Sequence, residues 1–140
     1  MIEIQGVSKI FRTGFWLKNQ TVVKGATLSV PRNSVFGFVG ENGAGKTTLI
    51  QMIVGVMKPS LGRVLVDGVP AHEPAARSRI GYLPERSYFH EHLTGLQFLH
   101  YMGDLSAMDR DSLNRRIPVV LARVGLSHAG KTDLKRYSKG

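Results

Sequence analysis

Eight consecutive residues match the pattern of a phosphate-binding loop. Residues 40–47 read GENGAGKT, which fits G-x-x-x-x-G-K-[ST]. Gly43 and Gly45 have no Cβ, so the backbone can take conformations closed to other residues and its amides can turn toward an anion. Lys46 adds a mobile positive charge for the outer phosphates, and the following helix begins with unpaired N–H groups at the positive end of its dipole. The pattern predicts a binding site for a polyphosphate.

Two threonines follow the lysine and extend the predicted site. The Thr47 hydroxyl is an oxygen ligand of the kind that Mg²⁺ accepts, and Thr48 stands at the helix start, where it is expected to bond a phosphate oxygen. The alternative is a glycine-rich turn before an ordinary helix, which does not account for an eight-residue match in this setting. The predicted nucleotide-binding residues of the loop are Gly40, Asn42, Gly43, Ala44, Gly45, Lys46, Thr47 and Thr48.

Elements on both sides must hold the loop in place. The apolar run over residues 34–39 predicts a buried strand before the loop, and residues 48–54 predict the helix after it. Similar patterns predict further strands at residues 2–7, 22–30, 63–66 and 80–83. A turn is expected at residues 31–33, and Asp67-Gly68 is typical of a hairpin turn.

The second half of the chain has helical patterning. Apolar residues at helical spacing mark a first helix, at Leu96, Leu99 and Met102. A second helix is predicted from about residue 109 to residue 124, with Gly125 just past its end and Pro118 expected to kink or interrupt it. The change of pattern predicts two parts, a nucleotide-binding core over residues 1–84 and a helical part over residues 85–140.

Composition and charge limit the function classes. The chain has 140 residues, 42% of them hydrophobic, which is enough for a packed core. No apolar run is long enough to span a bilayer, no signal peptide is recognisable, and cysteine is absent, so the sequence predicts a soluble intracellular domain without disulfides. The net charge of +9 suggests polyanionic partners. The basic residues are spread without interleaved aromatics, so nucleic acid is not expected as the main ligand.

The order of further motifs resembles the ATP-binding subunit of ABC (ATP-binding cassette) transporters. Residues 7–11, VSKIF, are similar to the opening of that family, and residues 59–68, PSLGRVLVDG, resemble its hairpin. Residues 80–85, IGYLPE, resemble the segment that ends at the Q-loop glutamine, and residues 137–140, YSKG, resemble the start of the signature motif LSGGQ. The resemblance implies an α/β fold: a partial P-loop NTPase fold of the ABC ATPase type, with N-terminal antiparallel β elements and the beginning of a helical subdomain.

The resemblance implies roles for residues outside the loop. Phe11 matches the aromatic residue that stacks on adenine, with Trp16 nearby in sequence as the alternative. Glu85 takes the place of the Q-loop glutamine, where its oxygen can reach Mg²⁺ or a water on it; the alternative is a solvated acid at a hinge. The signature motif acts in the family on the nucleotide of a second subunit, and its start corresponds to Tyr137, Ser138, Lys139 and Gly140.

Histidines cluster after the segment that resembles the Q-loop. His90, His92 and His100, with Glu91, are of metal-ligand types, but their spacing fits no regular helical or strand site, so no metal is predicted there. In the family this stretch faces the membrane subunits. The resemblance therefore implies contact roles for Tyr88, Phe89, His90 and His92.

The function implied by the resemblance is binding of ATP with Mg²⁺ and coupling of its hydrolysis to transport across a membrane, with an exporter-type subunit favoured. The implied partners are transmembrane permease subunits and a second ATP-binding subunit in a head-to-tail dimer, and the implied location is cytoplasmic, at the inner face of the membrane. The main alternative is a soluble, non-transport ABC ATPase acting on nucleic acid or ribosomes. A small-molecule kinase or a GTPase is a weaker alternative, since the sequence has no Asn-Lys-x-Asp motif.

The sequence stops at Gly140, inside the segment that resembles the signature motif. The family's Walker B aspartate, catalytic glutamate and switch histidine belong to later positions. Because phosphoryl transfer depends on positioned charge and a positioned nucleophile, these 140 residues alone are expected not to hydrolyse ATP. The family's later strands flank the strand before the loop, so residues 34–39 are expected to expose an apolar edge, with aggregation or weak MgATP binding as the result.

Overall fold

The computed structural model describes residues 1–14, 18–84 and 90–138. The chain forms two compact units, Met1–Leu83 and Pro84–Gly140. In the described ranges, every helix is too short or too polar to cross a membrane.

The first unit is built on a sheet of four strands in the order β2-β1-β3-β4. Its strands are β1 (Ile2–Thr13), β2 (Lys18–Val30), β3 (Leu61–Val66) and β4 (Val69–Pro70), and each pairs antiparallel with its neighbours. The strands predicted at residues 2–7, 22–30 and 63–66 are confirmed, and all three are longer than predicted. Because β1 pairs with both β2 and β3, it joins β2 to the two strands that follow the phosphate loop in sequence.

Two glycines interrupt the ladder between β1 and β2. Gly6 and Gly25 have φ of 59° and 58° and lie beside register shifts of this pair. Side-chain oxygens take up their amides: Gly6 N–H donates to Thr27 Oγ1 at 3.0 Å, and Gly25 N–H donates to Ser8 Oγ at 2.9 Å. These bulges let long strands remain paired while keeping one apolar face toward the core.

The helix after the phosphate loop packs on this sheet. Helix α1 (Lys46–Ile53) confirms the predicted helix, which begins two positions earlier than expected. Leu49 and Met52 are buried in the cluster that contains the sheet residues Ile4, Val7, Val23, Val64 and Val66. The α1 helix ends in a Schellman motif, in which Gly55 N–H donates to Met52 O and Val56 N–H to Gln51 O. A short helix, α2 (Pro74–Arg77), adds Ala76 to the same core.

The hairpin turn between β3 and β4 forms as predicted. Asp67 and Gly68 have φ of 50° and 79°, the positive values that this turn requires. The Asp67 carboxylate accepts a hydrogen bond from the N-terminal ammonium of Met1 at 2.5 Å and another from Arg32 Nε at 3.0 Å, and Arg79 lies 3.9 Å away. The Asp67 carboxylate thereby connects this turn to three other segments of the unit, those of Met1, Arg32 and Arg79.

Two predicted strands are absent from the structure. Residues 34–39 and 80–83 adopt no strand, and the side chains of Val35 and Val39 are almost fully exposed. A strand forms only where a neighbour takes up its N–H and C=O groups, and no described segment pairs with either run. The prediction of a buried strand before the loop is therefore wrong for this structure, whereas the predicted apolar exposure at residues 34–39 is found.

The second unit contains two main helices. Helix α3 (Gly95–Leu105) begins with a capping box, in which Thr94 Oγ1 accepts from Gln97 N–H and Gln97 Oε1 accepts from Thr94 N–H. Helix α4 (Arg110–Arg123) is capped by Asp109, whose carboxylate accepts from Ser112 N–H at 2.8 Å. Short 3₁₀ turns follow at Ser127–Ala129 and Leu134–Arg136. Both predicted helices are confirmed.

The core of the second unit lies on one side of α4. Leu113, Ile117 and Leu121 are buried, with partly buried side chains packed around them: Leu96, Leu99, Met108 and Leu126. Helix α4 continues through Pro118, so the predicted break does not occur there, and the alternative prediction of a kink stays a prediction. The helix ends as predicted before Gly125, which has φ of 72°, and Leu126 N–H donates to Leu121 O at 2.8 Å.

The ion pairs of Asp67 predict a pH-dependent contribution to the stability of the first unit. The hydrogen bond from the N-terminal ammonium, together with the charge of Arg32, lowers the pKa of Asp67. The stabilisation is therefore present above the unfolded-state pKa, about 3.9, and is lost as the pH falls through the lower folded-state value. We expect Asp67→Asn to lower the urea midpoint at about pH 7 and to have little effect at about pH 2.

The control for this experiment is Glu73→Gln. Glu73 belongs to the same unit and is exposed, and its carboxylate has no partner among the described residues. It should change the midpoint little at either pH. A loss in Asp67→Asn of equal size at both pH values would show that the ion pairs are not its cause.

Candidate functional site

The phosphate loop has the backbone conformation that its glycines predict. Gly43 and Gly45 have φ of 86° and 84°, and α1 begins at the next residue, Lys46. Ala44 N–H donates to Glu41 O at 3.2 Å, which closes a turn within the loop. A side chain at either glycine would be strained at these angles, so the loop depends on both residues.

The start of α1 presents free donors. The first helical hydrogen bond of α1 runs from Leu49 N–H to Gly45 O at 2.9 Å. The amides of Lys46, Thr47 and Thr48 precede it and have no acceptor in the described parts of the chain. Three N–H groups at the positive end of a helix dipole form an anion-binding arrangement.

The Lys46 side chain folds over the loop. Its Nζ donates to Gly40 O at 2.5 Å and to Glu41 O at 2.6 Å. Both acceptors are neutral carbonyls, and no described carboxylate lies within ion-pair distance of the ammonium. The positive charge is held at the loop without being neutralised, which suits it to a phosphate.

The end of the phosphate loop packs closely against strand β2. A Cβ on Gly45 would lie 2.7 Å from Val22 O and 3.0 Å from Val23 Cγ2, and Val23 is buried in the sheet core. The glycine thus serves two purposes, a left-handed backbone and a close approach to β2. The glycine spacing predicts the left-handed backbone but not the close approach, because no pattern connects residue 45 with a carbonyl of the preceding strand.

The predicted adenine platform lies near the end of β1. Phe11 pairs with Gln20 of β2 and is half-buried, and Lys9 Nζ stands 5.3 Å from the centre of its ring. A cation over the face of an aromatic ring is favourable. Trp16 lies outside the described residues, so the choice between the two aromatic residues stays a prediction.

The predicted magnesium ligands are only partly described. Thr47 is exposed at the start of α1, next to the free amides. Glu85 lies outside the described residues, as do Tyr88 and Phe89. Within the described ranges no cluster of three His, Cys, Asp or Glu side chains could hold a metal ion.

Tyr137, at the predicted signature start, is built into the second unit. Its hydroxyl donates to Ala129 O at 2.7 Å and lies so close to Gly95 that a Cβ there would be 2.4 Å away. Gly95 N–H in turn donates to Thr132 O at 3.2 Å. Ser138 is exposed, and Lys139 and Gly140 lie outside the described residues. Tyr137 therefore ties the end of the described chain to the start of α3.

The histidines do not converge on one point. His90 makes edge-on ring contacts with His92, at 5.8 Å between centroids, and with Tyr101, at 5.4 Å. His100 lies in α3, and its Nδ1 is buried without a described partner. The rings of His90 and His92 thus form a small aromatic cluster with Tyr101.

Residues 23–140 match the family described as ABC transporter. Two uncharacterised ABC transporter ATP-binding proteins, from Synechocystis and Nostoc, are each 42% identical to the chain and cover 100% and 94% of it. The methionine import ATP-binding protein of Corynebacterium diphtheriae is 35% identical over 99% of the chain. The chain spans 40% to 42% of the length of these curated relatives.

Solved structures share the fold. The ATP-binding subunit of an ABC transporter is 26% identical, with a TM-score of 0.78 over 99% of this chain and 56% of that one. A dimeric bacterial ABC transporter cassette is 19% identical, with a TM-score of 0.82 over 99% of this chain and 64% of that one. The predicted partial P-loop NTPase fold of the ABC ATPase type is confirmed.

The contact of Gly45 with β2 predicts that the two loop glycines differ in their sensitivity to substitution. Gly45→Ala adds a clash with Val22 O to the backbone strain and should lower the free energy of unfolding by about 1–3 kcal/mol. Gly43→Ala has open space around its Cβ, so it should cost only the left-handed strain, about 1 kcal/mol. Urea unfolding measures both.

Calorimetric titration with tripolyphosphate compares anion binding by the two variants. Both variants should bind it more weakly, because both disturb the turn of the amides. Equal stability of the two variants would contradict the proposed contact with β2.

Proposed function

This chain belongs to the ABC transporter family of ATP-binding proteins, and from that premise we propose that it forms part of the ATP-binding subunit of a transporter. In this proposal the subunit couples binding and hydrolysis of ATP to movement of a substrate across a membrane. The nucleotide-binding part is residues 1–84, and residues 85–140 begin the helical subdomain.

The phosphate loop is the observation that supports the proposal most directly. Three free amides at the start of α1, two glycines with positive φ and the unneutralised Lys46 ammonium meet in one exposed loop. These groups fit the β- and γ-phosphates of ATP. When a phosphate binds, the Lys46 ammonium exchanges its hydrogen bonds to two neutral carbonyls for hydrogen bonds to charged oxygens. The bonds to charged oxygens are stronger.

Magnesium would be held by Thr47, with Glu85 as the second ligand. When bound, the ion neutralises charge on the phosphate oxygens. The Thr47 hydroxyl stands beside the free amides of α1, so one turn of helix would orient both the phosphates and the ion. Phe11 would stack on adenine.

The partners in this proposal are transmembrane permease subunits and a second ATP-binding subunit. Residues 137–140 would act on the nucleotide of that second subunit in a head-to-tail dimer. The subunit would lie in the cytoplasm at the inner face of the membrane. The dimeric cassette among the solved structures supports the dimer as a fold-level analogy.

We favour an exporter-type subunit over an importer. The sequence YLPE at residues 82–85 and YSKG at residues 137–140 support the exporter type. The relative from Corynebacterium is named for methionine import, which is the competing type. Purification of the membrane protein that assembles with the full-length subunit, followed by transport into inside-out vesicles, distinguishes the two directions.

A polypeptide of these 140 residues should bind MgATP weakly and release no phosphate, because the residues described hold phosphates without supplying a positioned nucleophile. Lys46→Ala should weaken binding by about tenfold or more, since it removes a charge-assisted contact. Calorimetry measures the affinity, and a coupled assay measures phosphate. Steady phosphate release that disappears in Lys46→Ala would refute the inactivity of this polypeptide.

The alternative is a soluble, non-transport ABC ATPase, for which the net charge of +9 is the supporting observation. Recovery of the full-length protein with a polytopic membrane protein supports transport. Salt-sensitive retention on RNA or DNA, with no membrane partner, supports the alternative.

A further inference from the structure

A cavity of about 460 Å³ opens in the first unit, away from the phosphate loop. It lies where the last turn of α1 meets β3 and the residues that follow β4. None of residues 40–47 lines it. Its volume is within the range of about 300–1,000 Å³ that is usual for small-molecule sites.

The inner part of the cavity is apolar. Met52, Val64 and Ala71 line it and belong to the buried core, with exposures of 1%, 4% and 3%. Met57 lines it from the segment after α1 and is partly buried. Methionine side chains adapt to ligands of different shape, so this surface suits an apolar group.

The outer part of the cavity carries basic side chains. Lys58, Arg63 and His72 line it and are exposed. Arg63 Nε donates to Gln5 Oε1 at 2.7 Å, which fixes the start of the guanidinium group and leaves its other two nitrogens without a described acceptor. The side chains of Lys58 and His72 have no partner in the described ranges, and no described lining residue is acidic.

We propose that this cavity binds a small amphipathic anion, with its apolar part against Met52 and Val64 and its anionic head at Lys58 and Arg63. Burial of the apolar part supplies the affinity, and the unpaired cations select an anion over a neutral molecule. The site is separate from the nucleotide, so its ligand binds whether or not the phosphate loop is intact.

Octanoate is the probe for this site, and octanol, which has the same chain length and no charge, is its matched control. Titration of the ¹⁵N-labelled full-length subunit with octanoate should shift the amide resonances of Val64, Ala71 and His72 in a saturable way. Octanol should bind more weakly by about threefold or more. Equal binding of the two probes would overturn the proposed role of the basic side chains.

Substitutions of the basic lining residues test where the anionic head of the ligand binds. Arg63→Gln should weaken octanoate by about threefold, and Arg63→Gln combined with Lys58→Gln by about tenfold, with octanol unaffected. Lys24→Gln, an exposed β2 residue outside the cavity, is the control and should bind as the unmodified chain does. Unchanged octanoate affinity in the double variant would refute the proposal.

Lys46→Ala separates this proposal from the nucleotide site. The variant should keep its octanoate affinity and lose affinity for MgATP. Loss of octanoate binding in Lys46→Ala would place the anion at the phosphate loop and contradict a second site.

Discussion

The packing of α1 against the antiparallel sheet is the constraint on which the site depends. Leu49 and Met52 are buried against β1, β2 and β3, and burial of each such side chain is worth about 1.5–3 kcal/mol. This contact fixes the axis of the helix, and the approach of Gly45 to Val22 O fixes its start. Because both are fixed, the free amides at the start of α1 are held together at the phosphate loop. The Lys46 side chain lies over the same loop.

The same helix connects the two ligand sites that we propose. Its first turn holds the phosphate loop, and its last turn contributes Met52 to the cavity between β3 and the end of β4. Gly55 allows the chain to leave the helix close to β4, since a Cβ there would lie 2.1 Å from Ala71 O. The close fit at Gly55 thereby sets one wall of the cavity.

The sequence predicts those parts of the structure that local residue types determine. The loop follows from glycine spacing, and α4 follows from the spacing of Leu113, Ile117 and Leu121 with Gly125 after it. Residues 34–39 show the limit, because an apolar run predicts a strand only if a partner is present, and the partner is a long-range property. The fit of Gly45 on Val22 and the cavity are long-range too, so no local pattern predicts them.

The central claim is that the free amides at the start of α1 bind the phosphates of ATP. Titration of the ¹⁵N-labelled chain with MgATP tests it most directly, with the amide resonances of Gly45, Lys46, Thr47 and Thr48 as the readout. We expect these four resonances to shift together, in proportion to the nucleotide bound, and Lys46→Ala to weaken the affinity read from these shifts by about tenfold or more. Binding of MgATP that leaves these resonances unchanged would contradict it.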